Sequence, residues 1–495
     1  MNYKYPFAFL FIISLSLPAL ASFNYNARCT EAYKAIYHLK LNDARILIRE
    51  EKQQDPQNGV TILLDNYVDF FSLLMSDNKA DYEKFSNYRS GRIDALENSE
   101  RNSPYYLYSQ GVVYLQWGIL KAKFGDYFSS FLDIKKARAL FRENAQKYPD
   151  FLPNQINTSL IDVVLDALPS NLKGVAKFFG MSGNAKAGLA QLEKIRTEIG
   201  TTKYSLYTDD VTFTLCYINI DILHNPNSYN QLIGYVKAMD NNNNALKDYL
   251  GGYLCAKTAH NDEAIEFLEA INDKKQQLVL PVVDYLLGNA RLCRMDSDAS
   301  IYLLKYISEY KDYKYIKDAY LKVAYAYFLS NNLSKYYYYL NMARTKGNAL
   351  DEKDKQALRE ANDGPPNIDL LKARLYYDGG YYNKAVAQLQ DKQLTDFKLL
   401  RDQIDFTYRI GRLYDKTGKF NEAIASYQKA VNLGKGTPYY YASNAALAIG
   451  RIYEARKDYN RAAQYFHEAL AMKNHEYQNS TEYEAQQGLT RIHHQ

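Results

Sequence analysis

YRIGRLYDKTGKFNEAIASYQKA (408–430) and AIGRIYEARKDYNRAAQYFHEAL (448–470) carry one pattern, and LLKARLYYDGGYYNKAVAQL (370–389) carries it a third time. Each begins with a small residue and a tyrosine three places on: Ala373 and Tyr376, Gly411 and Tyr414, Gly450 and Tyr453. A short turn follows, then an alanine with a bulky apolar residue four places later: Ala385 and Leu389, Ala423 and Tyr427, Ala462 and Phe466. The step is 38 residues from Ala373 to Gly411 and 39 from Gly411 to Gly450. Spacings of three and four put each pair on one face of a helix. A small residue where two antiparallel helices cross lets their backbones approach, while the larger side chains fill the space beside it. On this reading Gly411 faces Ala423 across its hairpin. One hairpin cannot bury its apolar face alone, so hairpins stack on their neighbours.

The 408–430 and 448–470 units resemble the tetratricopeptide repeat family. Their step exceeds the family's usual one because the loop GKGTPYYYA (434–442) is long. The resemblance implies an all-α, right-handed α-solenoid of helix-turn-helix repeats, about ten hairpins over the mature chain. It also implies a non-enzymatic scaffold that binds a protein or peptide in a concave groove lined by the first helix of each repeat.

Outward from these repeats the pattern weakens but persists. Gly252 and Cys255 go with Ala264 and Leu268, Ala324 and Tyr327 with Tyr336 and Leu340, and a fainter unit runs from Tyr285 to Ile307. Nearer the start, Gly111 and Tyr114 go with Ala137 and Phe141, and Ala32, Ala44 and Ile48 precede a closing Asp55-Pro56. The polar stretch GNALDEKDKQALREANDGPPN (347–367) reads as a helix stopped by Gly364-Pro365-Pro366, a joint between two segments. A last amphipathic helix, Glu482 to Ile492, caps the final apolar face. The organisation expected is 1–21 as signal peptide, 22–200 as diverged repeats, 201–362 as middle repeats, and 363–495 as C-terminal repeats with the cap.

Residues 1–21 have the parts of an export signal: Lys4, an apolar run from Phe7 to Leu17, and Ala19-Leu20-Ala21 before Ser22. They imply an exported protein of the periplasm or outer membrane, cleaved near Ala21; the alternative is an uncleaved anchor. Inside the N-terminal part, LIDVVLDALPSNLKGVAKFFGMSGNAKAGLAQL (160–192) breaks the rhythm. It resembles a segment of the eukaryotic tetratricopeptide family of mitochondrial outer-membrane inclusion-body-clearance proteins, through Leu168-Pro169, Gly180-Met181-Ser182-Gly183 and Gly188-Leu189. Its apolar face either packs as core or lies on a membrane, and the second option makes the chain a peripheral membrane or outer-membrane assembly factor using 160–180.

Recognisable catalytic spacing is missing. Gly180-Met181-Ser182-Gly183 is not a nucleophile elbow, and Gly434-Lys435-Gly436-Thr437 is not a phosphate loop. The histidines form no HExxH, and the terminal His493-His494 pair is no more than an adventitious chelator, so no cofactor and no metal is expected. A net charge of +5 over 495 residues is too slight to indicate nucleic acid. Four scattered cysteines make no disulfide framework, although Cys255 and Cys293 lie 38 residues apart, one repeat step, either paired or simply buried in equivalent helices. The 49 tyrosines are the unusual feature of the composition, and repeats of this kind use them to fill hairpins and line grooves.

One surface feature recurs with the repeat. Arg374, Arg412 and Arg451 each follow the small packing residue, and Arg291 occupies a similar place in the faint unit. Either they form a guanidinium column that takes the carboxylates of an acidic partner, or they satisfy neighbours such as Asp415 and Glu454 at i,i+3 on a wet face.

Overall fold

The computed structural model describes residues 22–168, 170–272, 280–310 and 314–493. The stretch expected to be an export signal (1–21), Pro169 of the 160–192 segment and His494 lie outside them. Among the described residues the chain is all-α, with short 3-10 and π turns and a single bridge between Ser22 and Asn58. It divides into two compact units, one of residues 22–36, 41–71 and 82–158, the other of 37–40, 72–81 and everything from 159 onward.

The first unit is built on α1 (Ala27–Tyr37), α2 (Leu41–Gln54), α3 (Val60–Ser76), α4 (Lys79–Ser86), α5 (Arg89–Glu97), α6 (Pro104–Lys123) and α7 (Tyr127–Lys147). Ala32, Ala44 and Ile48 are buried, as their spacing on α1 and α2 requires. The α6/α7 hairpin is the one read from Gly111 and Phe141: a Cβ on Gly111 would sit 2.6 Å from the Phe141 ring. Ser103 caps α6, accepting from the Tyr105 N–H, and Pro104 follows at the first helical position, where no N–H is needed.

The boundary at residue 158 falls inside α8 (Leu152–Asp166), and the second unit goes on with α9 (Ser170–Phe178) and α10 (Ala185–Glu198). Gly183 and Gly188 lie so close to the α8 backbone that a Cβ would fall 2.0 Å from the Asp162 carbonyl oxygen and 2.8 Å from that of Ser159. Ile161, Val163, Leu165, Ala176, Met181 and Leu192 are buried, so one face of the 160–192 segment packs as core, while Phe178 at the end of α9 stands 86% exposed. Next come α11 (Thr208–Tyr217) and α12 (Tyr229–Lys237). Three hairpins follow: α13 (Ala245–Lys257) with α14 (Asn261–Asn272), α15 (Pro281–Arg294) with α16 (Ala299–Glu309), and α17 (Ile316–Leu329) with α18 (Leu333–Thr345).

The stretch read as a polar joint is α19 (Glu352–Asp363), a helix that packs on α17 and α18 and buries Asp354, Ala357 and Ala361. Beyond it lie α20 (Ile368–Asp378) with α21 (Tyr382–Leu389), α22 (Leu400–Lys416) with α23 (Phe420–Gly434), and α24 (Tyr441–Ala455) with α25 (Tyr459–Ala471). The cap is α26 (Gln478–His493), whose Gly488 receives the Phe466 ring. Within this unit successive hairpins stack, α14 on α15, α16 on α17, α21 on α22 and α23 on α24, as the solenoid reading expects.

The crossing points refine the pattern. A Cβ on Gly252, Gly411 or Gly450 would lie 2.6, 2.5 or 2.6 Å from Leu268, Tyr427 or Phe466. The bulky member of each second-helix pair, and not the alanine, therefore sits over the small residue: Gly411 faces the Tyr427 ring, which corrects the Gly411–Ala423 pairing. The buried alanines make room for the neighbouring backbone. Gly380 is fixed twice over, by φ +82° and by the Ala259 carbonyl oxygen, 1.9 Å from where a Cβ would stand. All four cysteines are free and buried, so Cys255 and Cys293 are unpaired, and burial pushes their thiols up to about 12.

Candidate functional site

In the second unit, α20, α22 and α24 repeat the same placement of arginine, and each guanidinium meets a carboxylate from elsewhere in the chain. Arg374 Nη1 donates to Glu360 Oε1 of α19 at 2.9 Å and lies 5.7 Å from the Tyr325 ring centroid. Arg412 stands 3.8 Å over the Tyr377 ring of the preceding repeat, with Asp378 at 3.5 Å. Arg451 pairs with Glu484 of the cap helix and keeps 54% of its side chain exposed. The i,i+3 partners are used otherwise: Glu454 accepts from Arg491 at 2.6 and 2.8 Å, and Asp415 accepts from the Tyr427 hydroxyl at 3.4 Å. Arg291 is not part of this row. It is held between Glu269 of α14 and Asp298, at 2.7 Å, with the Tyr302 ring 5.0 Å away.

The structure thus brings Arg374 and Arg412 into one ladder, each guanidinium resting on a tyrosine and a carboxylate contributed from outside its own repeat. Arg374 is 19% exposed and Glu360 17%, so this pair belongs to the interior and not to a polar face. Burial alone would raise the Glu360 carboxyl; Arg374, with hydrogen bonds from Arg374, Tyr325 and Gln356, overrides it and holds the group below its ordinary value.

Arg409, on α22, is among the groups with open hydrogen-bonding capacity, and the sequence reading passed it over. It is 4% exposed. Its Nη2 lies 2.8 Å from Asp405 Oδ1, but off the line a hydrogen bond needs, and its Nε and Nη1 meet no acceptor among the described residues. Burial raises the Asp405 carboxyl, with Arg409 and Arg374 opposing. The two side chains line a pocket of about 40 Å³ that also reaches Arg374, Tyr325, Tyr441 and Glu476. Glu476 anchors one wall: Arg359 Nε lies 2.8 Å away and the Tyr440 N–H donates at 3.2 Å, while burial pushes the Glu476 carboxyl up to about 7. A signal for Arg409 did exist in the sequence, an Asp405–Arg409 pair at i,i+4 in the most regularly repeating helix, facing three consecutive tyrosines at 439–441.

A second cluster of tyrosines and charges belongs to α15, α17 and α19. The Tyr285 hydroxyl donates to Asp318 at 2.6 Å and accepts from Lys322 at 3.0 Å, and Lys353 approaches it at 3.4 Å. Burial, with Lys322 nearby, brings Lys353 down to about 7. Chemically these clusters offer ring faces, hydroxyls and a few fixed N–H groups. They suit the recognition of an extended chain, whose carbonyls and side chains need those partners. No group of three or more His, Cys, Asp or Glu side chains able to hold a metal occurs among the described residues, nor any helix long and apolar enough to cross a membrane.

Residues 403–475 match the family described as Tetratricopeptide repeat. This segment is made of tetratricopeptide repeats. It spans α22 to α25, the hairpins on which Arg409, Arg412 and Arg451 stand. No curated protein matches the chain. Among solved structures, the human IFIT1 dimer with PPP-AAAA aligns at 11% identity and a TM-score of 0.33, covering 91% of this chain and 95% of that one. The APC/C hetero-tetramer Cut9-Hcn1 aligns at 13% identity and a TM-score of 0.27, covering 93% and 95%.

Proposed function

We propose that the protein is a non-catalytic interaction scaffold that holds an extended peptide segment of a partner protein on the arginine and tyrosine side chains of α20, α22 and α24. The observation that carries this is Arg409: a buried guanidinium with two donors lacking acceptors, opening on a small pocket walled by tyrosine. A partner carbonyl in that pocket accepts from Nε or Nη1, a hydrogen bond to a charged donor worth roughly 1.5–3 kcal/mol. The expected acceptor is a backbone carbonyl and not an acidic side chain. Arg374, Arg412 and Arg451 already face Glu360, Asp378 and Glu484, and Asp405 stands beside Arg409, so a further carboxylate meets like charge. The acidic partner suggested by the arginine column is therefore the competing outcome of the test.

The experiment is selection from a random peptide library on the mature chain, followed by fluorescence anisotropy of the selected peptides across a salt series. Recognition through carbonyls and rings predicts aromatic or apolar consensus positions and affinity nearly independent of salt. Acidic consensus sequences, with affinity falling as salt rises, identify the arginine column as the recognition element.

The setting we propose is the cell envelope, on the strength of the pattern in residues 1–21. N-terminal sequencing of protein recovered from the envelope fraction tests it, with Ser22 expected as the first residue. A membrane-associated reading has one observation in its favour, the exposed Val175 and Phe178 on α9 beside Lys173 and Lys177. Liposome flotation that depends on Phe178 supports that reading; recovery in the soluble fraction supports the scaffold alone.

A further inference from the structure

The first unit contains a cleft that the repeats do not explain. Helix α2 presents Arg45, Arg49 and Lys52 at spacings of four and three, which puts three cations on one helical face. Opposite them, α3 supplies Asp65 and Asp69 and α5 supplies Arg92. Lys52 is taken by Asp65, and Arg92 by Asp69 together with Asn66 Oδ1 at 3.2 Å. That uses both carboxylates. Arg45 donates to the neutral Asn42 side chain at 3.3 Å and also acts electrostatically on Asp69, a carboxylate that Arg92 already holds, while Arg49 has no ion-pair partner among the described residues. Arg49 and the remaining N–H groups of Arg45 therefore stand on one wall.

The other wall is aromatic. Phe85 and Tyr88 stack with ring centroids 6.2 Å apart and planes 28° from parallel, and Arg92 lies over the Tyr88 ring at 5.8 Å. Between the walls is a pocket of about 600 Å³, with an adjoining lobe of about 260 Å³ that Arg49 lines. This is the size of a small-molecule site. Gly91 is an exposed residue of its lining, and a Cβ there would meet nothing within 4 Å.

We propose that this cleft binds a small molecule made of a planar aromatic ring bearing one anionic group, a phosphate ester or a carboxylate. The anion lies between Arg45 and Arg49, where forked N–H groups match its oxygens, and the ring lies on Phe85 and Tyr88. Neither half is sufficient alone. The arginines are partly solvated, and the aromatic shelf is open to water.

The chain carries its own reporter. Trp117, its one tryptophan, donates from Nε1 to Asn66 Oδ1 at 2.9 Å, the same oxygen that accepts from Arg92 at the cleft wall. A ligand that shifts Arg92 changes the polarity around the indole.

The test is calorimetric titration of the mature chain with phenyl phosphate and with benzoate, paralleled by tryptophan fluorescence. Inorganic phosphate supplies the anion without the ring, and benzyl alcohol the ring without the anion. Saturable binding of phenyl phosphate or benzoate with a dissociation constant on the order of 1 mM or tighter is expected, and the stronger of the two names the anion. Inorganic phosphate and benzyl alcohol should each bind at least about tenfold more weakly. Gly91→Leu puts a bulky, helix-favouring side chain into the cleft from α5, so it should retain the circular dichroism spectrum and lose both heat and fluorescence change. The pair Arg45→Gln and Arg49→Gln should lose them equally. No saturable heat with either aromatic anion overturns the proposal, as does undiminished binding by Gly91→Leu.

Discussion

Replacing Gly411 with alanine tests how the repeats are held together. The new Cβ would stand 2.5, 2.7 and 2.9 Å from three atoms of the Tyr427 ring, where ordinary contact begins at 3.4 Å. The ring must retreat by about 0.9 Å, and it has little room, being 2% exposed with its hydroxyl bonded to Asp415. Overpacking of this kind costs about 1–3 kcal/mol. Alanine returns about 0.5–1 kcal/mol by its better helix propensity, so the net loss is about 0–2.5 kcal/mol. Gly234→Ala is the control: it is also inside a helix, α12 of the same unit, but a Cβ there meets nothing within 4 Å. It should show the propensity gain alone. The assay is urea unfolding followed by circular dichroism, with hydrogen exchange on α22 and α23 to locate the change, because a stack of repeats need not unfold as one body. In a Tyr427→Leu background the alanine should become neutral or stabilising, a coupling of about 1–2 kcal/mol. If Gly411→Ala is as favourable as Gly234→Ala, or its cost survives removal of the ring, the crossing geometry is wrong.

Other consequences are equally direct. Arg374→Ala leaves Glu360 buried without its cation and should cost about 3–5 kcal/mol in the same unfolding assay, whereas Arg451→Ala, at a half-exposed pair, should cost under about 1 kcal/mol. Glu476 is raised from 4.5 in the unfolded chain to about 7 in the folded one, so the folded state binds the extra proton between those values. Its contribution is full below about 4.5 and is lost as pH rises through about 7; melting of the C-terminal hairpins should follow that course, and Glu476→Gln should flatten it. The four buried thiols should be silent to a thiol reagent in the native state and should titrate as four once the chain is unfolded.

What the sequence revealed was what a single helix or a single hairpin determines. Gly111 with Phe141, Gly252 with Leu268, Gly411 with Tyr427 and Gly450 with Phe466 are all residues the spacing had singled out, because close packing admits few ways to join two helices. The cap helix was legible for the same reason. The candidate site was not, because it is made between repeats. Glu360, the partner of Arg374, sits in a stretch whose polarity suggested a joint, and its burial comes only from packing against α17 and α20. Arg412 could be assigned to Asp415 on helical spacing, but Asp378 and the Tyr377 ring arrive from the preceding repeat. Arg409 looked like one more polar residue in an amphipathic helix, and its one local signal, Asp405 at i,i+4, reads as an ordinary ion pair and not as a buried guanidinium with donors to spare.

The central claim is that a partner's peptide occupies the pocket that Arg409 opens. Hydrogen exchange on residues 22–495, with and without a peptide selected from the random library, addresses it directly when repeated on the neutral double variant Arg409→Gln, Asp405→Asn. The account predicts new protection in α20, α22 and α24 for the wild-type chain, and at least about a tenfold loss of affinity in the double variant, the value of one well-buried hydrogen bond. Protection confined to other helices, or equal affinity in the double variant, would contradict it.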